Sequence, residues 1–540
     1  MRWLENPKAF RPSTKMPRIF HLSNTSDEES KAKNEMAIAG IAAYLTKNSE
    51  PVSLEGPPVK GKPEEGERLV KEIGCLGCHT VGSLTANDHG PELSGLGSKV
   101  KPDWLYTWLK NPKHYSADTR MPNLRLTDQE AAHITSYLLA SRNEKFESLR
   151  PPHVDPKMVD DMAIGYLVGK MRREEARAEI EKMNPDARLE FLGQQVIAQQ
   201  GCFGCHDIKG FSAEGGSSAS GGGGAKPIGT ELTEEGSKEI NKLDFGFIPL
   251  DPTREAWFFQ KLKEPRIFDT GRVKAWHEKL RMPQFDFSDE EAGALTTFLL
   301  SLQKSEIPLE MMRRLNSSEV ETEAGRLLVS KLNCQGCHTL DGKEGLVRSI
   351  IEDKGSAPPI LFAEGKKVRE PWLYHFLGNP STIRPWLRYR MPTFGFDERE
   401  LTTVVNYFNH ISGIEPSFAG EKIPASTPEE IAAGRQLFKA LQCIKCHQTE
   451  APGAGLSTSF LAPNLEIAKD RLRPNWILEW LKDPQTLEPG TMMPTFFPEG
   501  QSPMKDVLGG DAERQIKALR DYLMVFTQEE AAQSKQERAK

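Results

Sequence analysis

Cys75-Leu-Gly-Cys78-His79 decides how this chain is read, because the same frame returns three more times. The others are Cys202-Phe-Gly-Cys205-His206, Cys334-Gln-Gly-Cys337-His338 and Cys443-Ile-Lys-Cys446-His447. These four stretches use all 8 cysteines of the chain. Scattering 8 Cys and 12 His at random over 540 residues gives far fewer than one such pentapeptide, so the pattern carries a chemical requirement.

On a helical turn, positions i, i+3 and i+4 share one face, so two thiols and one imidazole can point at a single partner. This is the attachment sequence of c-type haem. The thiols add to the vinyl groups as thioethers, and the histidine becomes an iron ligand. Helix formers with apolar residues at helical spacing precede each site, over 64–74, 190–201, 322–333 and 429–442. Two four-cysteine zinc sites are a weaker reading, since the pairs lie over 100 residues apart and zinc has no need of a histidine after each pair. A thioredoxin-like dithiol expects a βαβ setting and no repeated histidine. Disulfides between adjacent pairs complete the alternatives.

Downstream of each pentapeptide lies a Met-Pro step: Met121-Pro122, Met282-Pro283, Met391-Pro392 and Met493-Pro494. Before each comes a tryptophan-bearing helix with eight residues from Trp to Pro, starting at Trp104, Trp257, Trp372 and Trp476. After each comes an acid-started amphipathic helix with capping-box signals, as at Thr127–Glu130, Ser288–Glu291 and Asp397–Glu400. The whole unit recurs four times, so the methionines read as the second axial ligands. A thioether is soft and neutral, which favours ferrous iron. In the last repeat Met492 competes with Met493, and the Met-Pro register favours Met493. The expected iron ligands are His79 with Met121, His206 with Met282, His338 with Met391, and His447 with Met493.

Each unit resembles a class I cytochrome c domain, and the chain resembles a bacterial multihaem cytochrome c built by tandem duplication. The resemblance implies a mainly α fold of tandem domains, each a small helical bundle around one covalently bound haem c. It also implies a proline carbonyl that orients the proximal histidine: Pro91 in Gly90-Pro-Glu-Leu93, with Pro359 and Pro463 as counterparts. In the second repeat Thr230 stands at that position, with Pro227 nearby. Trp104, Trp257, Trp372 and Trp476 are the implied aromatic neighbours of the haem. The expected domains are 60–147, 190–304 with a loop insertion, 320–413 and 428–530, with a helical linker at 148–189.

Residues 1–50 read as the distal half of a further domain whose haem-binding half is absent. Trp3 to Met16 spans thirteen residues, as do Trp108 to Met121 and Trp480 to Met493. Met16 has no pentapeptide upstream. A truncated sequence, a haem on another chain and a haemless remnant are the three explanations weighed.

His79 to Met121 spans 42 positions but His206 to Met282 spans 76. The difference includes a glycine-serine tract over 214–225, expected as a solvated loop. The formal charge of −6 argues against a nucleic-acid partner, and mean hydropathy of −0.52 with no apolar run near 18 residues argues against a transmembrane helix. Eight propionates would carry the charge from −6 to about −14, and Arg120, Arg281 and Arg390 are candidate partners for them. His114, His133, His277, His375 and His410 read as surface or core residues.

Six-coordinate His/Met haems leave no vacant iron site, so the expected function is electron transfer. The resemblance implies redox partner proteins, such as a membrane respiratory complex or periplasmic oxidoreductase. It also implies export to the periplasm or outer face of the cytoplasmic membrane. The competing enzyme reading, a haem peroxidase, needs a haem without its methionine.

Overall fold

The computed structural model describes residues 1–527 except 10, 12–13, 86, 88, 149–150, 212–228, 305–309, 311–312, 385, 419–421, 424 and 448–460. The glycine-serine tract and Pro227 lie outside the described residues. The fold is mainly helical, with only isolated β-bridges and no strand among the described residues. Among the described residues, no helix is long and apolar enough to cross a membrane. The chain divides into two compact units, 1–52 with 148–313, and 53–147 with 314–540.

The second unit holds three helical domains built to one plan. An attachment helix leads to each pentapeptide, and a closing helix crosses it. The pairs are Pro63–Ile73 with Asp128–Ala140, Ser317–Lys331 with Glu398–Ile411, and Pro428–Ala440 with Ala512–Val525. Thr127 and Glu130, Asp397 and Glu400, and Thr427 and Glu430 form reciprocal capping boxes that start helices where the sequence signals them.

Close crossing depends on one glycine per domain, nine residues before the first cysteine. A Cβ at Gly66 would lie 2.1 Å from the His133 carbonyl oxygen, at Gly434 2.1 Å from that of Ala518, and at Gly325 2.3 Å from the Tyr407 Cβ. Side chains from both helices then fill each core, such as Leu69, Val70, Ile134 and Leu138 in the first domain.

The domains at 53–147 and 314–417 are neighbours. Their Met-Pro segments pair through an antiparallel bridge between Asn123 and Thr393. The domains at 314–417 and 428–527 pair through a second bridge, Val368 with Leu472, and Arg348 reaches Glu488 at 3.2 Å.

The first unit departs from the expected boundaries. The attachment helix Pro185–Gln200 packs on Glu28–Lys47 from the N-terminal half, while Asp289–Ser301 packs on Arg254–Lys263. Residues 190–304 are therefore not one packed body around one core. Physically, the crossing needs a glycine-sized surface, and Gly40 provides it: a Cβ at Gly193 would stand 2.0 Å from the Gly40 carbonyl oxygen. The stretch read as a linker holds the helices Pro156–Val168 and Arg173–Glu181. It is more than a linker, since Val159 and Met162 join the core made by Ile38, Ile41, Leu192 and Val196.

Candidate haem sites

Each attachment helix ends on a left-handed residue just before, or within one residue of, the pentapeptide: Gly74 at φ 115°, Gly201 at 74°, Asn333 at 56° and Gln442 at 57°. That conformation breaks the helix, and a separate 3₁₀ turn begins at Cys75, Cys202, Cys334 and Cys443. Each turn is closed by the histidine N–H donating to the first cysteine's carbonyl, at 3.0 Å for His79 and His206, 2.9 Å for His338 and 3.1 Å for His447. The two cysteines and the histidine thus occupy one turn, as their spacing predicts.

In three sites the imidazole is fixed by a proline carbonyl. Nδ1 lies 2.7 Å from the Pro91 oxygen in His79, 2.8 Å from that of Pro359 in His338 and 2.7 Å from that of Pro463 in His447. A carbonyl can only accept, so Nδ1 carries the proton and Nε2 keeps its lone pair for a metal. Gly90 makes the approach possible, since a Cβ there would sit 2.6 Å from the His79 ring. Burial pushes His338 and His447 below the usual imidazole pKa, which holds them in the neutral, ligating form. His206 is exposed, and no carbonyl partner for its Nδ1 is found among the described residues. Thr230 does not supply one.

No cysteine is disulfide-bonded. Burial pushes the thiols of Cys75, Cys334, Cys337 and Cys443 up to about 12, and raises those of Cys78 and Cys202. Such surroundings favour an uncharged sulfur over a free thiolate. A thioether carries no charge and suits them. Among the described residues, no group of three or more His, Cys, Asp or Glu could hold a metal ion between them.

Three of the four expected methionines share a core with their own cysteines: Met121 with Cys75, Met391 with Cys334 and Met493 with Cys443. Met493 rather than Met492 is the inward residue, Met492 being 54% exposed. Two helpers escaped the sequence reading. The indole Nε1 of Trp108 donates to Met121 Sδ at 2.9 Å, and that of Trp480 to Met493 Sδ at 2.8 Å. A threonine two residues earlier accepts the methionine N–H, Thr119 for Met121 at 3.2 Å and Thr491 for Met493 at 3.4 Å. The signal was present as a shared Thr-x-Met, invisible without a reason to align it.

Three of the expected tryptophans stack on an aromatic ring one helical turn later. Trp104 stacks on Trp108 with centroids 5.3 Å apart, Trp372 on Phe376 at 4.7 Å and Trp476 on Trp480 at 6.4 Å. Trp257 has Lys261 at the matching position instead, its Nζ 5.8 Å from the Trp257 ring. Two of the three propionate candidates are otherwise engaged: Arg390 pairs with Glu130 at 2.5 Å, and Arg281 donates to the Gln199 carbonyl at 3.2 Å. Arg120 is exposed. Met282 is held through its carbonyl, which accepts from Arg266 Nε at 3.1 Å.

The first and third attachment turns touch. Asn333 Nδ2 donates to the Gly77 carbonyl at 2.9 Å, and a Cβ at Gly77 would lie 3.0 Å from Cys337 Sγ. Residues 63–142 and 431–525 match the family model of cytochrome c. Comparison with curated proteins gives no match, and comparison with solved structures gives none.

Proposed function

We propose that this chain, a cytochrome c of several domains, is an electron carrier that holds four covalently attached haems and relays electrons between redox partner proteins. Haem c, when bound, supplies a one-electron iron couple. The chain's own residues attach it, orient it and shut out water. Cys75 and Cys78, Cys202 and Cys205, Cys334 and Cys337, and Cys443 and Cys446 are the attachment points. His79, His206, His338 and His447 are the proximal ligands. Met121, Met391 and Met493 are the distal ligands of three sites.

The observation that carries this reading is the histidine–proline contact at 2.7, 2.8 and 2.7 Å in three sites. It fixes the same tautomer each time and leaves Nε2 free for a metal. Filling both axial positions with protein ligands leaves no place for substrate on iron, which favours electron transfer over peroxidase chemistry. The touching turns at Gly77 and Gly336 support exchange between the first and third sites, so the relay need not follow chain order. The partners are membrane respiratory complexes or periplasmic oxidoreductases. The working place is the periplasm or the outer face of the cytoplasmic membrane, where haem c is attached.

An intact mass of the mature protein with a redox titration tests this. Four haem increments and four one-electron components with a near-infrared methionine–iron band are expected. Carbon monoxide binding to a stoichiometric fraction of the native ferrous protein would count against it.

A further inference from the structure

Residues 1–50 have a methionine without a pentapeptide, and residues 185–211 have a pentapeptide whose helix packs on residues 28–47. We infer that Met16, and not Met282, is the distal ligand of the haem attached at Cys202, Cys205 and His206, so that this domain is assembled from two halves separated by more than 130 residues of chain. The inference rests on the four-haem reading above.

The closing helix identifies the distal half. In the three other domains, the glycine nine residues before the first cysteine is covered by the helix that follows that domain's methionine. Gly193 is covered by Gly40, twenty-four residues after Met16, just as Gly434 is covered by Ala518, twenty-five after Met493. Tyr44 then closes the end of the site, its hydroxyl donating to the Lys209 carbonyl at 2.8 Å. The third residue after the methionine agrees. Ile19 is buried in the core that includes Cys202, as Leu124 and Phe496 lie in the cores of Cys75 and Cys443. Phe285, the third residue after Met282, is 37% exposed and stacks on Phe287.

The surroundings of the sulfur agree as well. Trp3 Nε1 donates to Met16 Sδ at 2.8 Å and Thr14 accepts the Met16 N–H at 3.2 Å, which repeats both contacts of Met121 and Met493. At the same offsets from Met282 stand Asp269, buried in an ion pair with Lys274 at 2.7 Å, and Leu280, which can accept nothing through its side chain. Met391 lacks the pair too, but its closing helix covers its own attachment helix, so chain order and packing agree there. Lys261 also puts a cation where the other domains have Trp108, Phe376 and Trp480.

The pairing of halves completes the case. Arg18 and Gln284, each two residues after its methionine, form an antiparallel bridge, as do Asn123 and Thr393. The 229–303 half thus stands to the Met16 segment as one complete domain stands to its neighbour. A neighbouring Met-Pro segment in the Asn123–Thr393 pair serves its own core.

The test uses the full haem-loaded chain with Met16→His and Met282→His, each of which keeps a sixth ligand while removing a methionine. In the ferric protein Met16→His is expected to lose about a quarter of the near-infrared methionine–iron band and to lower one of four redox components. Met282→His is expected to keep both unchanged. Trp3→Phe, which leaves the ligand and helices in place, should shift the same component. Loss of the band in Met282→His, or in neither variant, overturns the assignment. An unsubstituted protein with fewer than four haems by intact mass, or without the band, overturns the four-haem reading and this inference with it. A four-haem protein whose band ignores Met16 overturns this inference alone.

Discussion

The indole N–H of Trp108 donates to Met121 Sδ at 2.9 Å, so the uncharged sulfur proposed as a ligand already accepts a hydrogen bond from its own domain. A hydrogen bond to the sulfur withdraws electron density from it and favours the reduced state of an iron it binds. Trp108→Phe removes only the donor while keeping an aromatic ring. One redox component should fall by about 1 kcal/mol, or roughly 40 mV for a one-electron couple. Trp480→Phe should lower a different component by a similar amount, since Trp480 reaches Met493 Sδ at 2.8 Å. Spectroelectrochemical titration of each variant checks this; unchanged components would remove the bond from the tuning of the site.

Helix crossing makes an opposite pair of glycine predictions. Alanine is better than glycine in a helix by about 1 kcal/mol. At Gly434 that gain is outweighed, because the added Cβ would stand 2.1 Å from the Ala518 carbonyl oxygen, a backbone atom that cannot rotate away. Gly434→Ala should therefore destabilise its domain by at least about 2 kcal/mol. Gly293 has nothing within 4 Å of an added Cβ, and Gly293→Ala should stabilise its helix by up to about 1 kcal/mol. Denaturant unfolding of the two variants should move in opposite directions.

These glycines also mark how far the sequence could be read. The four attachment turns and the capping boxes follow from local chemistry, because a pentapeptide or a Thr-x-x-Glu frame acts within a few residues, whereas Pro91 is implied by the family resemblance. Pairing of distant segments leaves no such local trace. Chain order assigned Met282 to the half that follows Cys205, whereas Gly193 meets Gly40 from the other end of the chain. The spacing of nine from glycine to cysteine occurs in all four repeats, yet a glycine inside a helix has no visible purpose until the crossing backbone is seen. The contact between Gly77 and Gly336 was equally unreadable, since it joins two domains that are not consecutive.

Asn333 does two jobs. Its left-handed backbone ends the attachment helix, and its side chain donates to Gly77 O at 2.9 Å across the domain boundary. Asn333→Gly keeps the first and removes the second. The loss is expected to be about 1 kcal/mol of docking between the two domains, with all four haems still attached. Asn333→Ala should cost more, because alanine tolerates positive φ poorly. Thermal unfolding ranks the variants; a glycine variant as stable as the unsubstituted protein would assign the effect to the backbone alone.

Asp27 starts the helix Glu28–Lys47, accepting the Ser30 N–H at 2.8 Å. That backbone bond is the main reason its carboxyl falls from the ordinary 3.8 to about 2. A folded-state value below the unfolded one means that ionised Asp27 stabilises the fold. The contribution is complete above pH 3.8 and is lost as the pH falls through about 2. Asp27→Ala should cost about 1 kcal/mol at neutral pH, and the difference from the unsubstituted protein should shrink as the pH falls toward about 2 and vanish below it. Because Glu28–Lys47 packs on Pro185–Gln200, hydrogen exchange in the variant should accelerate in both helices together. Acceleration confined to residues 28–47 would show that the N-terminal half does not support the helix leading to Cys202.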